Sequence, residues 1–348
     1  MPPFSPDRSF ATPADHAHCA AAIRAGSRSF HLASLALPPH VRKPAYGLYA
    51  FCRLSDDAVD LDAGSHGAVM RLRERLARAC EGRPHDTPED RAIADVMRRY
   101  AIPRAVPEAL LEGLAWDAEG RRYDSLVELE AYAMRVAGAV GVMMTLMMGA
   151  RDPLTLARAS DLGVAMQFTN IARDVGEDAR AGRLYLPLDW LREAGVDPGA
   201  FLANPVACPA VKSVVARLLQ EADRLYARAR RGVAHLPKSC RPAILAAALL
   251  YAEIGRELVR RHELDSVSYR ARVGGARKLA LFGKAIALSP LLARDEGAAA
   301  LDAAAFLIEA VAREPTRSLA TQAPGFGAQF IYMLDMFERL ERAERFGE

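Results

Sequence analysis

Two short stretches of this chain combine residue types that can do chemistry. In Phe51-Cys52-Arg53-Leu54-Ser55-Asp56-Asp57-Ala58-Val59-Asp60, set in an otherwise apolar helical run, Asp56 and Asp60 stand four residues apart and project from one helix face. Arg53 lies on the same side, three residues before Asp56. Like charges at that spacing repel, yet an exposed polar helix end leading to Gly64 would read the same way. The second stretch shifts the balance. In Gln167-Phe168-Thr169-Asn170-Ile171-Ala172-Arg173-Asp174-Val175-Gly176-Glu177-Asp178, the residues Asn170, Asp174 and Asp178 recur every fourth position, with Gln167 one turn earlier. They form a stripe of oxygen donors on a helix that begins apolar. Hard cations such as Mg²⁺ take carboxylate oxygens, retain waters and bridge to substrate phosphates. Two facing stripes would hold two or three such ions over one diphosphate, with Arg53 and Arg173 nearby; two independent solvated faces are the alternative.

The elements that must position these residues are helical. Ala, Leu, Arg and Glu dominate, and alternating Val/Ile/Thr/Tyr runs are nearly absent. Helical periodicity predicts helices near 14–35, 39–62, 67–81, 89–100, 107–118, 125–149, 153–180, 187–195, 209–235, 239–262, 275–292 and 297–312, and one at 327–346. Turn-formers such as Pro38-Pro39, Gly64, Asp152-Pro153 and Gly274-Gly275 separate them. With no repeat and no linker rich in Gly, Ser or Pro, the reading is one all-α domain over residues 1–348, its first 13 residues a flexible N-terminus. Residues 136–150, VAGAVGVMMTLMMGA, are apolar on every face and rich in small residues, so this helix is expected to be central and closely approached. The tail FIYMLDMFERLERAERF reads as a terminal packing helix or an interfacial one.

Composition excludes several classes. At 348 residues and 51% hydrophobic, the chain can bury a sizeable core. Its 46 Lys+Arg against 43 Asp+Glu leave only +3, which argues against nucleic acid as a partner. Five scattered cysteines without a CxxC pair fit neither a disulfide framework nor a zinc site and point to a reducing compartment. The start lacks the apolar core of a signal peptide, and the longest uncharged run, 136–150, is short of the ~20 residues that span a bilayer. The expected location is cytoplasmic, soluble or peripheral on the inner face of the cytoplasmic membrane.

The same motifs carry a resemblance. Ser27-Arg28-Ser29-Phe30, YGLYAFCRLSDDAVD, YAMRVAGAVG and NIARDVGEDARAGRLYLPLDW resemble the squalene/phytoene synthase family over residues 20–290, with 295–348 left as a C-terminal extension outside it. The resemblance implies the all-α isoprenoid synthase fold, a class I terpenoid synthase-like helical bundle around a central cavity. It implies prenyltransferase activity: two geranylgeranyl diphosphates join head to head, through prephytoene diphosphate, to give 15-cis-phytoene. The implied metal ligands are Asp56, Asp60, Asn170, Asp174 and Asp178, holding Mg²⁺ or Mn²⁺. The implied catalytic set is Asp56, Asp60, Asp174, Asp178, Arg53 and Tyr132. Ser27, Arg28, Ser29, Phe30, Ser34, Tyr49, Gln167, Arg173, Arg183 and Tyr251 are the implied substrate contacts, and each lone tyrosine reads equally well as a satisfied core residue. Residues 178–191 read as a flap over the site. Lipid substrate and product imply transient membrane contact, and a downstream desaturase is a further expected partner. The near alternative is a squalene or presqualene diphosphate synthase using farnesyl diphosphate. No NADPH site is visible, which favours the first reading. The distant alternative is a non-catalytic helical module binding prenyl lipid or a partner protein.

Overall fold

The structure, a computed structural model, describes residues 9–61, 66–294 and 297–314, and every regular element among them is helical. Helix starts follow local chemistry. α1 (Pro13–Gly26) opens on a capping box in which Thr12 and Asp15 satisfy each other's backbone N–H groups. α2 (Arg28–Ser34) begins at Ser27, whose hydroxyl accepts the Phe30 N–H at 3.2 Å. One helix over 14–35 is therefore corrected to two. Ser27 caps a new helix, and its turn brings the Ser27–Phe30 run to a helix start.

The chain continues through α3 (Pro39–Leu61), α4 (His66–Cys80), α5 (Pro88–Tyr100) and α6 (Ala105–Ala118). α7 (Leu126–Ala133) runs through a π turn (Met134–Gly138) into α8 (Ala139–Met147), and the long α9 (Pro153–Arg180) follows. Then come α10 (Leu188–Glu193), α11 (Pro198–Ala203), α12 (Pro209–Gly232), α13 (Arg241–His262), α14 (Gly275–Leu288) and α15 (Ala305–Arg313). α11 escaped periodicity because six residues complete less than two turns. The helix expected over 297–312 starts only at Asp302, and the tail helix expected over 327–346 lies outside the described residues.

α9 is the hub, packed along α12 and crossed by α8 and the π turn. At that crossing a Cβ on Gly141 would stand 2.4 Å from the Ala159 carbonyl oxygen, and one on Gly163 2.4 Å from that of Ala137. Only glycine permits such backbone contact, so the expected close approach is built from both sides. The helical run Leu126–Met147 has 22 residues and a mean hydropathy of 1.2, long and apolar enough to cross a membrane by those measures alone. Here the run is a core helix, with Leu129, Met134, Val142 and Met143 fully buried.

Residues 9–12, expected within a flexible start, are tied down: the backbone N–H groups of Phe10 and Ala11 donate to Asp95 at 3.0 and 2.9 Å. At the other end Phe306 of α15 lies 5.2 Å from the Arg135 guanidinium, which also covers Trp116 of α6 at 4.4 Å. α13 and α14 are joined by Glu253, fully buried and bound by Arg256, Arg260 and Arg277 at 3.2, 2.5 and 2.8 Å.

Candidate active site

A cavity of about 340 Å³ opens between α2, α3, α8, α9 and α13, with the end of α12 closing its depth. Its wall is apolar over most of its length. Val136, Val140, Gly141 and Met144 come from the helix expected to supply a dry wall, and Leu48, Leu162, Ile244 and Ala247 from the others. α9 lines it with Thr155, Arg158, Leu162, Met166 and Asn170, one face taken every third or fourth residue. Thr155 to Asn170 is fifteen residues, roughly 22 Å of helix.

The outer end holds the sequence-expected residues Tyr49, Gln167, Asn170 and Tyr251, all on the wall. Phe30 stacks on Tyr251 with ring centroids 4.8 Å apart, and the Ser27 hydroxyl bonds the Tyr251 phenol. Tyr49 is pressed against α1 at Gly26, where a Cβ would meet its hydroxyl at 2.2 Å. Ser34 lines the cavity deeper in, its hydroxyl donating to the His31 carbonyl at 2.6 Å. Ser29 is half-buried on the same turn. Arg28 is exposed, and its charge together with burial lowers the Lys278 pKa, so two cations share that rim.

The second acidic stripe continues α9 past Asn170. Both carboxylate oxygens of Asp174 are taken by arginine: Arg173 at 2.7 and 2.5 Å, and Arg270 at 2.8 and 3.3 Å. Arg270 also reaches Glu177 at 3.0 Å. Arg183 stands 3.9 Å from Asp178. Burial pushes the Asp178 carboxyl up to about 7; Arg183 opposes the shift, and the negative Asp174, Glu177 and Asp117 add to it. In the first stripe, Arg53 pairs chiefly with Asp57 at 2.7 Å and only loosely with Asp56 at 3.6 Å. Arg53 thus divides its charge between the two, and Asp57, one full turn along, takes the larger share. The Asp60 side chain lies outside the described residues.

Asp117 links the two stripes, and sequence reasoning missed it. It accepts the hydroxyl of Tyr132 at 2.8 Å and of Tyr185 at 2.7 Å, and it senses the charges of Asp56 and Arg183. Burial raises it to about 6 while both phenols and Arg183 pull it back. The expected Tyr132 is 3% exposed and stacks on Tyr185, with ring centroids 5.3 Å apart. The segment after α9, expected as a flap, is pinned: Leu188 and Asp189 donate backbone N–H groups to the Tyr123 and Asp124 carbonyls, both at 3.0 Å. Asp117 and Arg270 left no readable signal. Neither belongs to a spaced motif, and Tyr185 and Asp174, to which they bond, are 68 and 96 residues away.

Among the described residues no group of three or more His, Cys, Asp or Glu is gathered to hold a metal. The donor chemistry nevertheless fits a hard cation. The Asn170 Oδ1 is buried with no hydrogen-bond partner, and Asp178 is crowded by like charges that a cation would offset. Asp174 is already balanced by cations that a diphosphate could take over.

An all-helical shell around an apolar cavity, with arginines and oxygen donors gathered at its outer end, is the architecture of an isoprenoid synthase. The chain belongs to the squalene/phytoene synthase family, whose description matches residues 23–277. It is 54% identical over 270 residues to phytoene synthase from Rhodobacter capsulatus, covering 76% of this chain and 79% of that one. With phytoene synthase from Cereibacter sphaeroides it shares 50% identity over 316 residues, 86% and 88% of the two chains. A crystal structure of a dehydrosqualene synthase in complex with ligand superposes with a TM-score of 0.74 at 29% identity, over 82% of this chain and 100% of that one.

Proposed function

We propose that this chain condenses two molecules of geranylgeranyl diphosphate head to head, through prephytoene diphosphate, into 15-cis-phytoene with release of two diphosphates. The observation that carries the reading is an apolar cavity leading inward from an end walled by Tyr49, Gln167, Asn170 and Tyr251, where the Asn170-Asp174-Asp178 stripe of α9 begins. The phytoene synthase names of relatives at 50–54% identity support the C20 substrate.

The first ionisation breaks an allylic C–O bond, and the bond electrons leave with diphosphate. The resulting cation adds to the double bond of the second substrate, and proton loss closes the cyclopropane. A second ionisation, rearrangement and a final proton loss give the triene-centred hydrocarbon. Mg²⁺ or Mn²⁺, two or three ions held by Asp56, Asp60, Asn170, Asp174 and Asp178, would supply positive charge against the departing diphosphate. Arg173 and Arg270 offer planar forks for phosphate oxygens, with Arg53, Arg183 and Arg28 around them and Ser27, Ser29 and Gln167 as neutral donors. Phe30 and Tyr251 present ring faces that stabilise a nearby cation. Asp117 fixes the phenols of Tyr132 and Tyr185, so these tyrosines position the wall behind the acidic stripes. The apolar wall keeps out water that would quench the cations. The lipid substrate and product place the enzyme in transient contact with the cytoplasmic face of a membrane, where a desaturase can take up the product.

Because the sequence of steps ends in proton loss, turnover is expected without NADPH. Incubation with geranylgeranyl diphosphate and Mg²⁺, followed by chromatography of the hydrocarbon, is the test. A hydrocarbon formed only with NADPH, or only from farnesyl diphosphate, would install the squalene-type reading. No turnover of either diphosphate would leave a binding module.

Ser34 gives a second expectation. A phenyl ring there would project from α2 into the cavity between Phe30 and Leu37. Ser34→Phe is expected to lower kcat/KM for the C20 diphosphate on the order of tenfold relative to the C15 one. An equal loss with both substrates would mean that the substitution only strains the packing.

A further inference from the structure

The deep end of the cavity departs from its apolar wall. Thr145, Thr155 and Arg158 gather there, and the Thr155 hydroxyl is buried without a hydrogen-bond partner. Arg158 is the largest side chain among those fully buried, an expensive place for a guanidinium unless it is paired. The pairing is elaborate. Its Nη1 donates to Asp161 Oδ2 at 2.6 Å and its Nη2 to the carbonyl of Ala298. Arg228 of α12 shares Asp161 at 2.9 Å and donates to the Ala299 carbonyl at 2.5 Å. The Arg158 stem is held on its other side by Gly232, where a Cβ would stand 2.1 Å from Arg158 Cβ. Two helices and a strap of chain at 298–299, beyond the family-matched residues 23–277, therefore fix one side chain.

We propose that Arg158, pinned by Asp161 and the 298–299 strap, is the floor of the prenyl cavity and sets the longest chain that the enzyme accepts. The inference rests on the prenyl diphosphate reading above. Arg158 lies twelve residues before Asn170, roughly 18 Å inward along α9, so the diphosphate end and the floor face each other along the cavity. A hydrocarbon terminus that advanced further would have to displace a side chain tethered through its guanidinium to Asp161 and the strap. Gly232 leaves the stem no room to retreat toward α12. The floor is thus hard in a way that a leucine or methionine floor is not, since those can swing to another rotamer.

The experiment compares farnesyl (C15), geranylgeranyl (C20) and geranylfarnesyl (C25) diphosphates with the full-length enzyme and Mg²⁺, reading kcat/KM for each. Wild type is expected to use C20 and to discriminate against C25. Arg158→Met, similar in reach and without charge, is expected to raise the C25:C20 ratio on the order of tenfold while the C15:C20 ratio changes far less. Arg158→Lys keeps the charge but loses the fork, and an intermediate shift is expected; its ratio decides the matter if the Met variant does not fold. A wild type that takes C25 as readily as C20, or a folded variant whose C25:C20 ratio stays within about twofold of wild type, overturns the floor. Failure of wild type to use C20 at all overturns the functional reading instead, so the two failures are distinct.

Discussion

Asp178→Asn is expected to lower turnover by about 10²–10³-fold while leaving the fold as stable as wild type. The two halves of this expectation come from one environment. Burial and three neighbouring negative charges push the Asp178 carboxyl up to about 7, so a neutral amide suits these surroundings at least as well. With diphosphate leaving, the missing charge removes a preorganised electrostatic contact, on the order of 3–4 kcal/mol of barrier. Asp174→Asn is expected to lose as much, here by freeing Arg173 and Arg270 from their shared carboxylate and removing a ligand. Asp56→Asn and Asp60→Asn are expected to follow, and EDTA to abolish turnover. Steady-state kinetics with Mg²⁺, beside urea unfolding of each variant, check this. Near-wild-type turnover in EDTA, or in two folded variants, would sink the site assignment.

Glu253→Gln is expected to act on stability instead. Burial alone would raise this carboxyl, yet its hydrogen bonds to Arg277, Arg260 and Arg256 hold it down at about 2 from an ordinary 4.5. A carboxyl whose folded pKa is depressed contributes stability that is complete above about pH 5 and fades as pH falls through the folded value. At pH 7 that depression is worth about 3 kcal/mol. The variant is expected to lose roughly that amount at pH 7. It is also expected to show a shallower decline than wild type between pH 5 and pH 2.5. Urea unfolding free energies at both pH values read the two slopes, and parallel slopes would assign the acid sensitivity to other groups.

Much of the architecture was readable because helices announce themselves locally. Capping residues, prolines and 3.6-residue periodicity act within a turn or two, so α3, α5, α9 and α13 were placed nearly to their ends. The helix break at Ser27 was missed because Gly26-Ser27 interrupts the pattern by a single residue. α11 was missed because it has too few residues for a period. The cavity contacts at Gln167 and Asn170 were legible through spacing on one helix, and those at Tyr49 and Tyr251 only through the family resemblance. Asp117 and Arg270 were not, since what makes them part of the site is a partner brought from a distant helix by folding. The Arg158–Asp161–Arg228 cluster was hidden for the same reason: its charges look like an ordinary solvated face until α12 and the 298–299 strap cover them.

The glycine crossing of α8 and α9 bears on how such a cavity can diversify. At that crossing one wall of the cavity is set by two peptide backbones in contact, and Gly141 or Gly163 cannot be enlarged without parting the helices. Variation in what the cavity holds must therefore arise on the other walls, at Ser34, Leu48 and Ile244, and at Arg158. The crossing stays a fixed edge against which the facing walls are free to drift.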